Sequence, residues 1–583
     1  MAAPSDGLPP ALPNGLSVSA LVGSKKIALI FMLAPELFKD LIQRQNGKSS
    51  TAKANYMKES FWIIDQLIQQ GIRRFCIAPG SRNTPLVVAA AEHPQAETIV
   101  HFDERGIGFY ALGYGKGKKG PAAVITTSGT AVGNLLPSVM EAHHSQIPLL
   151  LLTTDRPAEL RDCGANQTTD QIKIFGNFTR WQADLPPTLT ENYFRSITAQ
   201  AVFHAMQNPK GPVQLNCQFR DPLYTPDLPR LQIGVPLSLP EAKQISPPFR
   251  TSAKRGVFLI GDIGEDPLPI LELAKRLEWP VFADILSNAR LFPTKEQIRH
   301  FDWILKTKPT LTPDCIVHFG HRLASKTILD WTPTVHISSS PFLQDPNRGL
   351  SSRILSDIAP FCETFEGKTD PSWLLAWQEL DAAINEVVEE KFQSNSPFTE
   401  AHAMRKLSEA LPSNAACFFG NGMPIRDADH FLFPPHGRGF FGNRGLSGID
   451  GNIATAAGIS DGLDAPLIAF IGDQTALHDL NSLPLLKKTK HPVTLIVSNN
   501  FGSGIFSHLP ISKWPKFETF MAATHKWRFK DAARMFDLPY LPFDQISFET
   551  SALIELNTSR EENFRFQKEL IAACQSLKAT AVS

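Results

Sequence analysis

Long apolar runs alternate with amphipathic stretches along most of this chain. From Asn55 onward, Phe61, Ile63, Ile64, Leu67 and Ile68 recur at helical spacing. Phe75-Cys-Ile-Ala78 then reads as a short buried strand, stopped by Pro79-Gly80. Ala122–Thr127 and Pro148–Thr154 read as two more strands with a helix between them. A second series runs through Gly256–Asp262, Trp279–Asp284, Cys315–Gly320 and Thr334–Ser338, and leads into a charged helix at 373–392. A third contains Ala465–Asp473 and Pro492–Asn500. Continuously apolar strands separated by helices predict parallel sheets covered on both faces. The expected fold is therefore α/β, with three doubly wound parallel-sheet domains at 55–235, 250–370 and 395–583. The Pro-rich stretch 222–252 predicts a stiff linker. Residues 1–54 mix Pro, Gly, Ser and Asn around one short apolar patch, and predict a disordered extension.

Composition narrows the classes. The 583 residues fit about three or four domains. Lys+Arg at 57 balance Asp+Glu at 57, which argues against a nucleic-acid partner. Seven scattered cysteines form no CxxC pair, so neither a zinc framework nor a disulfide scaffold is expected, and the free thiols fit a cytoplasmic protein. No apolar run approaches the ~18 residues of a membrane span, and no membrane partner is expected.

Two GxGxxG matches lack the context of a dinucleotide fingerprint, which needs a strand before and a helix after. Gly115-Lys-Gly117-Lys-Lys-Gly120 lies between a helix and a following strand, and Gly437-Arg-Gly439-Phe-Phe-Gly442 follows Pro434-Pro435. A stronger constellation ends the strands of the third series. Asp473 closes one and Asn499-Asn500 the next, and parallel strands joined by one helix end side by side at the ligand-binding edge. An Asp carboxylate, an Asn amide oxygen and the Gly502 carbonyl are hard ligands of the kind Mg²⁺ takes. Thr475 and Ala476 would open the next helix, whose free N–H groups favour a phosphate. A helix cap at Asp473 and a turn at Asn499-Asn500 would explain the same residues without a ligand.

This pattern resembles the diphosphate-anchoring motif of the thiamine-diphosphate enzymes. Further segments narrow the likeness: Ala78-Pro-Gly-Ser-Arg-Asn-Thr84, His101-Phe-Asp-Glu-Arg-Gly106, Thr127-Ser-Gly-Thr-Ala131, Asp155-Arg-Pro157, Asp162-Cys-Gly-Ala-Asn-Gln167, Gly420-Asn421, Asn443–Asp450 and Gly504-Ile-Phe506. From about residue 55 to the end the chain is similar to the MenD family of that class. The resemblance implies three α/β domains, thiamine diphosphate with Mg²⁺ (Mn²⁺ as an alternative), and a homodimer or homotetramer with active sites between subunits. It implies that 2-oxoglutarate is decarboxylated and its four-carbon remainder added to isochorismate, in menaquinone biosynthesis.

Residue by residue, the resemblance makes Glu104 the catalytic carboxylate that touches the cofactor's pyrimidine. A surface ion pair with Arg105 is the plainer account. Asn421, Gly422, Ile449, Asp473, Thr475, Ala476, Asn500 and Ile505 match cofactor positions, and Asp473, Asn500 and Gly502 the metal ligands. Ser81, Arg82, Arg156, Gln167, Lys326, Arg426, Arg444 and Phe506 match the substrate pocket. Both substrates are dianions, and Arg clamps a carboxylate through two parallel bonds. Gly422 departs from the family, which often has Ser there. Thr327 departs where a second basic residue occurs. Arg322 and Lys326 would share one face if 322–326 is helical. Core packing would account for Ile449, Ile505 and Phe506 without a ligand. The competing functions are another thiamine-diphosphate 2-oxoacid decarboxylase or synthase, such as an acetolactate synthase, and a non-catalytic relative.

Overall fold

The computed structural model describes residues 57–580 except 188, 230–233, 235–247, 395–396, 435 and 547–548. The extension expected at 1–54 lies outside the described residues, as does most of the linker expected at 222–252. The described residues hold three parallel sheets. The first contains β1 (Arg74–Ile77), β2 (Glu97–Val100), β3 (Ala122–Thr126), β4 (Leu149–Asp155), β5 (Trp181–Leu185) and β6 (Pro212–Gln218), in the order β2-β1-β3-β4-β6-β5. The second contains β7 (Gly256–Ile260), β8 (Val281–Ala283), β9 (Cys315–Phe319), β10 (Val335–Ser338) and β11 (Ser352–Leu355), in the order β11-β10-β9-β7-β8. The third contains β12 (Ala416–Phe419), β13 (Phe440–Phe441), β14 (Leu467–Gly472), β15 (Val493–Asn499), β16 (Tyr540–Leu541) and β17 (Ala552–Asn557), in the order β13-β12-β14-β15-β17-β16. The inner strands β3, β4, β9 and β15 are buried at every residue, which is why they read as unbroken apolar runs.

The first and third sheets have the same strand order. In each, the order reverses between the first and third strands in sequence. A parallel α/β sheet binds ligands at such a reversal, beyond the carboxyl ends of its strands. Ser81 and Ser128 follow β1 and β3 in the first sheet, and Asn421 and Asp473 follow β12 and β14 in the third.

The helices behind these edges pack directly on each other. Helix Glu104–Lys118 of the first layer crosses helix Asn452–Leu463 of the third through glycines. A methyl group on Gly113 would overlap the Thr455 carbonyl, and one on Gly117 would stand 2.6 Å from the Ile459 carbonyl. Gly458 and Gly462 face Tyr110 and Tyr114 backbone in the same way. Gly115 and Gly117 thus belong to a helix, where Gly117 serves the close helix contact and Gly115 packs against Ile147, rather than to a nucleotide loop.

Two local expectations change. The connection from β14 to β15 is not one helix. It is a six-residue helix, Asp473–His478, followed by a 3₁₀ segment, Leu480–Lys487, with Pro484 inside it. Proline removes an N–H donor and breaks the α ladder there. Residues 322–326 are not helical either. They run as bends that lead into the 3₁₀ segment Thr327–Asp330, with the His321 N–H on the Asp262 carbonyl at 2.9 Å and the Ala324 N–H on the Asp284 carboxylate at 2.5 Å.

Candidate active site

Next to the third sheet's reversal, β14 and β15 run side by side with Gly472 opposite Ser498. Asp473 and Asn500 therefore leave the same edge. Asp473 is buried at 2% exposure. Its Oδ2 accepts the Gly502 N–H at 2.8 Å, its Oδ1 accepts the Gln474 N–H at 2.6 Å, and His525 Nε2 lies 3.3 Å from Oδ2. Burial pushes the carboxyl above the usual range, with these donors opposing it. Asn500 gives its Nδ2 to Glu400 at 2.9 Å, while its Oδ1 is buried with no hydrogen-bond partner. A Cβ on Gly502 would meet the Ala522 carbonyl at 2.7 Å, so only glycine lets the backbone pass there.

These oxygens fit a hard cation. The orphaned Asn500 Oδ1 is an acceptor that burial leaves unsatisfied, an arrangement that costs free energy unless something fills it. Among the described residues no group of three or more His, Cys, Asp or Glu gathers as a metal cluster. A single carboxylate with amide and carbonyl oxygens suits Mg²⁺, which completes its shell with water and phosphate. Thr475 and Ala476 are buried in the first turn after Asp473.

Asn421 and Gly422 follow β12. Gly422 has φ +97°, a region where side chains are strained, and starts helix Met423–Phe431. Asn421 organises the neighbouring loop. Its Nδ2 donates to the Asn443 carbonyl at 2.8 Å and the Gly448 carbonyl at 2.7 Å, and its Oδ1 accepts from Arg444 at 2.8 Å. Arg426 donates to the Gly422 carbonyl. Among the described residues neither Arg426 nor Arg444 has a carboxylate in ion-pair contact. Burial lowers the pKa of both, and Arg444 adds to the effect on Arg426. For Arg444, Asp284 opposes the effect and Arg322 adds to it. Asp427 likewise opposes the effect on Arg426, and two half-buried guanidiniums with no carboxylate in ion-pair contact favour an anion. Arg444, but not Arg426, lines a cleft of about 470 Å³ together with Arg322, Asp284, His321, Gln344 and Arg348 among others. Ile449 on the same loop is 40% exposed, so core packing does not explain it. Ile505 and Phe506 are half-buried on the 3₁₀ turn Gly504–His508.

The first sheet's edge gathers a second cluster. Arg156 follows β4 and is buried. It donates to the Ser128 hydroxyl and, at 2.8 Å, to the Gln167 carbonyl, while Gln167 Nε2 donates to the Ser128 carbonyl at 2.9 Å. Burial, then the nearby Arg82 charge, lowers the Arg156 pKa. Arg82 donates to the Phe219 carbonyl at 2.9 Å and lies 3.7 Å from Asp221. Ser81 is exposed beside it. Glu104 opens its helix behind the Asp103 cap, and its Oε2 accepts from Asn134 Nδ2 at 3.4 Å. The ion pair with Arg105 does not form. Arg105 instead donates to the His478 carbonyl at 2.8 Å. Lys326 is exposed and stands outside the 470 Å³ cleft. Among the described residues of one chain, no hydrogen bond or ion pair joins the Ser81–Arg82–Glu104–Arg156–Gln167 cluster to the Asp473–Asn500 cluster.

Three supporting residues were not anticipated. Glu141, on helix Leu136–Ser145, accepts the Gly445 and Leu446 N–H groups at 2.9 and 2.8 Å. Glu400 holds Asn500, and His525 faces Asp473. A buried acid in an amphipathic helix carries no signal of its own in sequence.

The fold and these edges define a thiamine-diphosphate enzyme, and family models agree. Residues 57–174 match "Thiamine pyrophosphate enzyme, N-terminal TPP binding domain", 238–419 match "Middle domain of thiamine pyrophosphate", and 420–551 match "Thiamine pyrophosphate enzyme, C-terminal TPP binding domain". The middle match runs through Ala416–Phe419, but β12 pairs with β13 and β14 in the third sheet. Full-length relatives narrow the class. The chain is 36% identical over 568 residues to the 2-succinyl-5-enolpyruvyl-6-hydroxy-3-cyclohexene-1-carboxylate synthase of Salinibacter ruber, covering 88% of this chain and 95% of that one. It is 35% identical over 560 residues to the synthase of the same name from Rubrobacter xylanophilus, covering 87% and 96%. The Listeria innocua synthase is 34% identical over 550 residues, covering 86% and 94%. The chain belongs to the 2-succinyl-5-enolpyruvyl-6-hydroxy-3-cyclohexene-1-carboxylate synthase (MenD) family.

Proposed function

We propose that this chain is a transferase of menaquinone biosynthesis. It takes 2-oxoglutarate, releases its 1-carboxylate as CO₂, and adds the four-carbon remainder to the ring of isochorismate. Bound thiamine diphosphate supplies an electron sink for the carbon that loses CO₂. The observation that carries the reading is the pair of guanidiniums, Arg426 and Arg444, bonded to Gly422 and Asn421 after β12, the strand next to the one that Asp473 follows, with no carboxylate in ion-pair contact among the described residues. A site for a dicarboxylate next to a diphosphate anchor is what this reaction needs.

The residue roles follow from position and chemistry. Asp473, Asn500 and the Gly502 carbonyl hold Mg²⁺, or Mn²⁺ in its place. Backbone N–H groups at Gly422, Thr475 and Ala476 face the diphosphate, and the Gly422 N–H serves where a serine hydroxyl is missing. Asn421, Ile449 and Ile505 border the cofactor. Glu104 holds a proton at the pyrimidine N1′. Ser81, Arg82, Arg156, Gln167, Lys326, Arg426, Arg444 and Phe506 receive the substrates, the arginines taking carboxylates.

The domains are assigned as 55–235, 250–370 and 395–583. The active unit is a homodimer or homotetramer in which the first domain of one subunit completes the third of another. The lack of bonding between the two clusters within one chain supports that arrangement. A cytoplasmic location is supported by the free cysteines, all but Cys163 buried, and among the described residues no helix is long and apolar enough to cross a membrane.

The test is direct. Purified protein with 2-oxoglutarate, isochorismate, thiamine diphosphate and Mg²⁺ should yield the coupled product by mass spectrometry, with CO₂ release. Coupling with pyruvate as donor and none with 2-oxoglutarate would overturn the reading.

A further inference from the structure

We infer that Glu400 is a positioning residue that sets which atom of Asn500 faces the cation site, an inference that rests on the metal role assigned to Asn500 above. A primary amide has an oxygen on one side and an NH₂ on the other, and the two differ little in shape. Only the oxygen can ligate Mg²⁺. Something must therefore hold the NH₂ away from the site.

Glu400 is placed to do this. It is 3% exposed, in the first turn of helix Glu400–Ala410, and Thr399 caps that helix through a reciprocal bond with His402. The Glu400 Oε1 accepts Asn500 Nδ2 and Asn563 Nδ2 at 2.9 Å each, and the Thr558 hydroxyl at 3.2 Å. The Asn563 side chain also accepts the Glu400 backbone N–H at 3.0 Å, so both ends of the residue are pinned. An oxygen that already receives three donors can only accept. Turning the Asn500 amide over would set its Oδ1 against a carboxylate oxygen and place NH₂ groups toward the metal. The present orientation leaves Oδ1 buried and unpartnered, one residue past β15 at the edge where Asp473 follows β14, and the Asp473 carboxylate is itself fixed by the Gly502 N–H.

Groups behind metal ligands typically change metal affinity by about 10–100-fold when removed. The experiment titrates Mn²⁺ into protein with saturating thiamine diphosphate and reads free Mn²⁺ by electron paramagnetic resonance, with circular dichroism to check folding. Glu400→Leu removes the acceptor and should weaken Mn²⁺ binding by about 10-fold or more. Adding Asn500→Asp to it should restore binding to within about 3-fold of wild type. Aspartate presents oxygen either way round and no longer needs orienting. A packing role for Glu400 would not be rescued in this manner. Unchanged Mn²⁺ binding in Glu400→Leu, or no recovery in the double variant, overturns the inference. Should Glu400→Leu not fold, Glu400→Gln decides. It keeps an accepting oxygen without the charge, and a 10-fold loss there would mean that charge, not orientation, matters. Asp473→Ala is the control for the site itself. If it binds Mn²⁺ like wild type, the metal site is misassigned, a result separate from failure of the Glu400 argument.

Discussion

The loop that carries Arg444 and Ile449 is held from across the molecule by one buried acid, and Glu141→Gln tests that tether. Glu141 is 4% exposed. Its Oε1 accepts the Gly445 N–H at 2.9 Å and the Ser145 hydroxyl at 2.7 Å, and its Oε2 accepts the Leu446 N–H at 2.8 Å. Lys116, buried and with its pKa lowered by that burial, stands 3.8 Å away and donates to the Gly442 carbonyl at 2.6 Å. Glutamine has the same shape but only one accepting oxygen, so its NH₂ must face a donor and one backbone N–H is left unpaired. A hydrogen bond to a charged group is worth about 1.5–3 kcal/mol. At about 1.4 kcal/mol per tenfold, local opening of residues 444–446 should rise about 10- to 150-fold. The bonds from Asn421 to Asn443 and Gly448 remain, so the rest of the loop should stay closed. Hydrogen–deuterium exchange of the Gly445 and Leu446 amides reads this directly. Steady-state kinetics should show a raised KM for the dicarboxylate substrate, with thiamine-diphosphate affinity little changed. Wild-type exchange at both amides, or a loss of cofactor binding with KM unchanged, would refute the tether.

Glu104→Gln should fold and bind thiamine diphosphate, yet slow exchange of the cofactor's C2 proton and turnover by about 10²–10⁴-fold, read by quenched-flow NMR and steady-state rates. Arg444→Ala should lower kcat/KM by about 30- to 150-fold, equivalent to about 2–3 kcal/mol for a charged hydrogen bond, with calorimetric cofactor affinity retained. Co-assembled Glu104→Gln and Asp473→Ala subunits should regain about a quarter of wild-type activity if the site lies between subunits of a dimer, because half the dimers then hold one intact site. No recovery on mixing would place both clusters in one chain's site.

How far the chain could be read without coordinates depends on burial. Leu149–Leu152 and Leu467–Ile471 are covered on both faces, so their apolar runs announce the strands. Strands at sheet edges carry no such signal. β2 is exposed at three of its four residues, β11 is nowhere fully buried, and β13 and β16 are two residues long. Asp473 and Asn500 were legible because they terminate inner strands. Arg322 and Lys326 misled because i, i+4 spacing is also what an irregular loop yields by chance, and here the segment runs as bends. Glu141, Glu400 and His525 were not legible. Each acts on a residue distant in sequence, and only the packing of helices against sheets brings the pairs together.

The repeated strand order gives the division of labour a physical basis. Two sheets of one topology offer equivalent edges, so what each edge binds is decided by the few side chains that follow its strands. After β14 and β15 these are Asp473 and Asn500, which carry oxygens, and after β12 Asn421, which holds Arg444 and the neighbouring loop. After β1 and β4 they are Arg82 and Arg156, which present positive charge. On the function proposed above, neither edge alone is complete for a reaction between a metal-bound cofactor and a dianion. Arg426 and Arg444 extend the positive field toward the Asp473–Asn500 edge, and among the described residues no carboxylate is in ion-pair contact with either. A charge left unpaired and half-buried is costly. On the function proposed above, the dicarboxylate substrate supplies the partner.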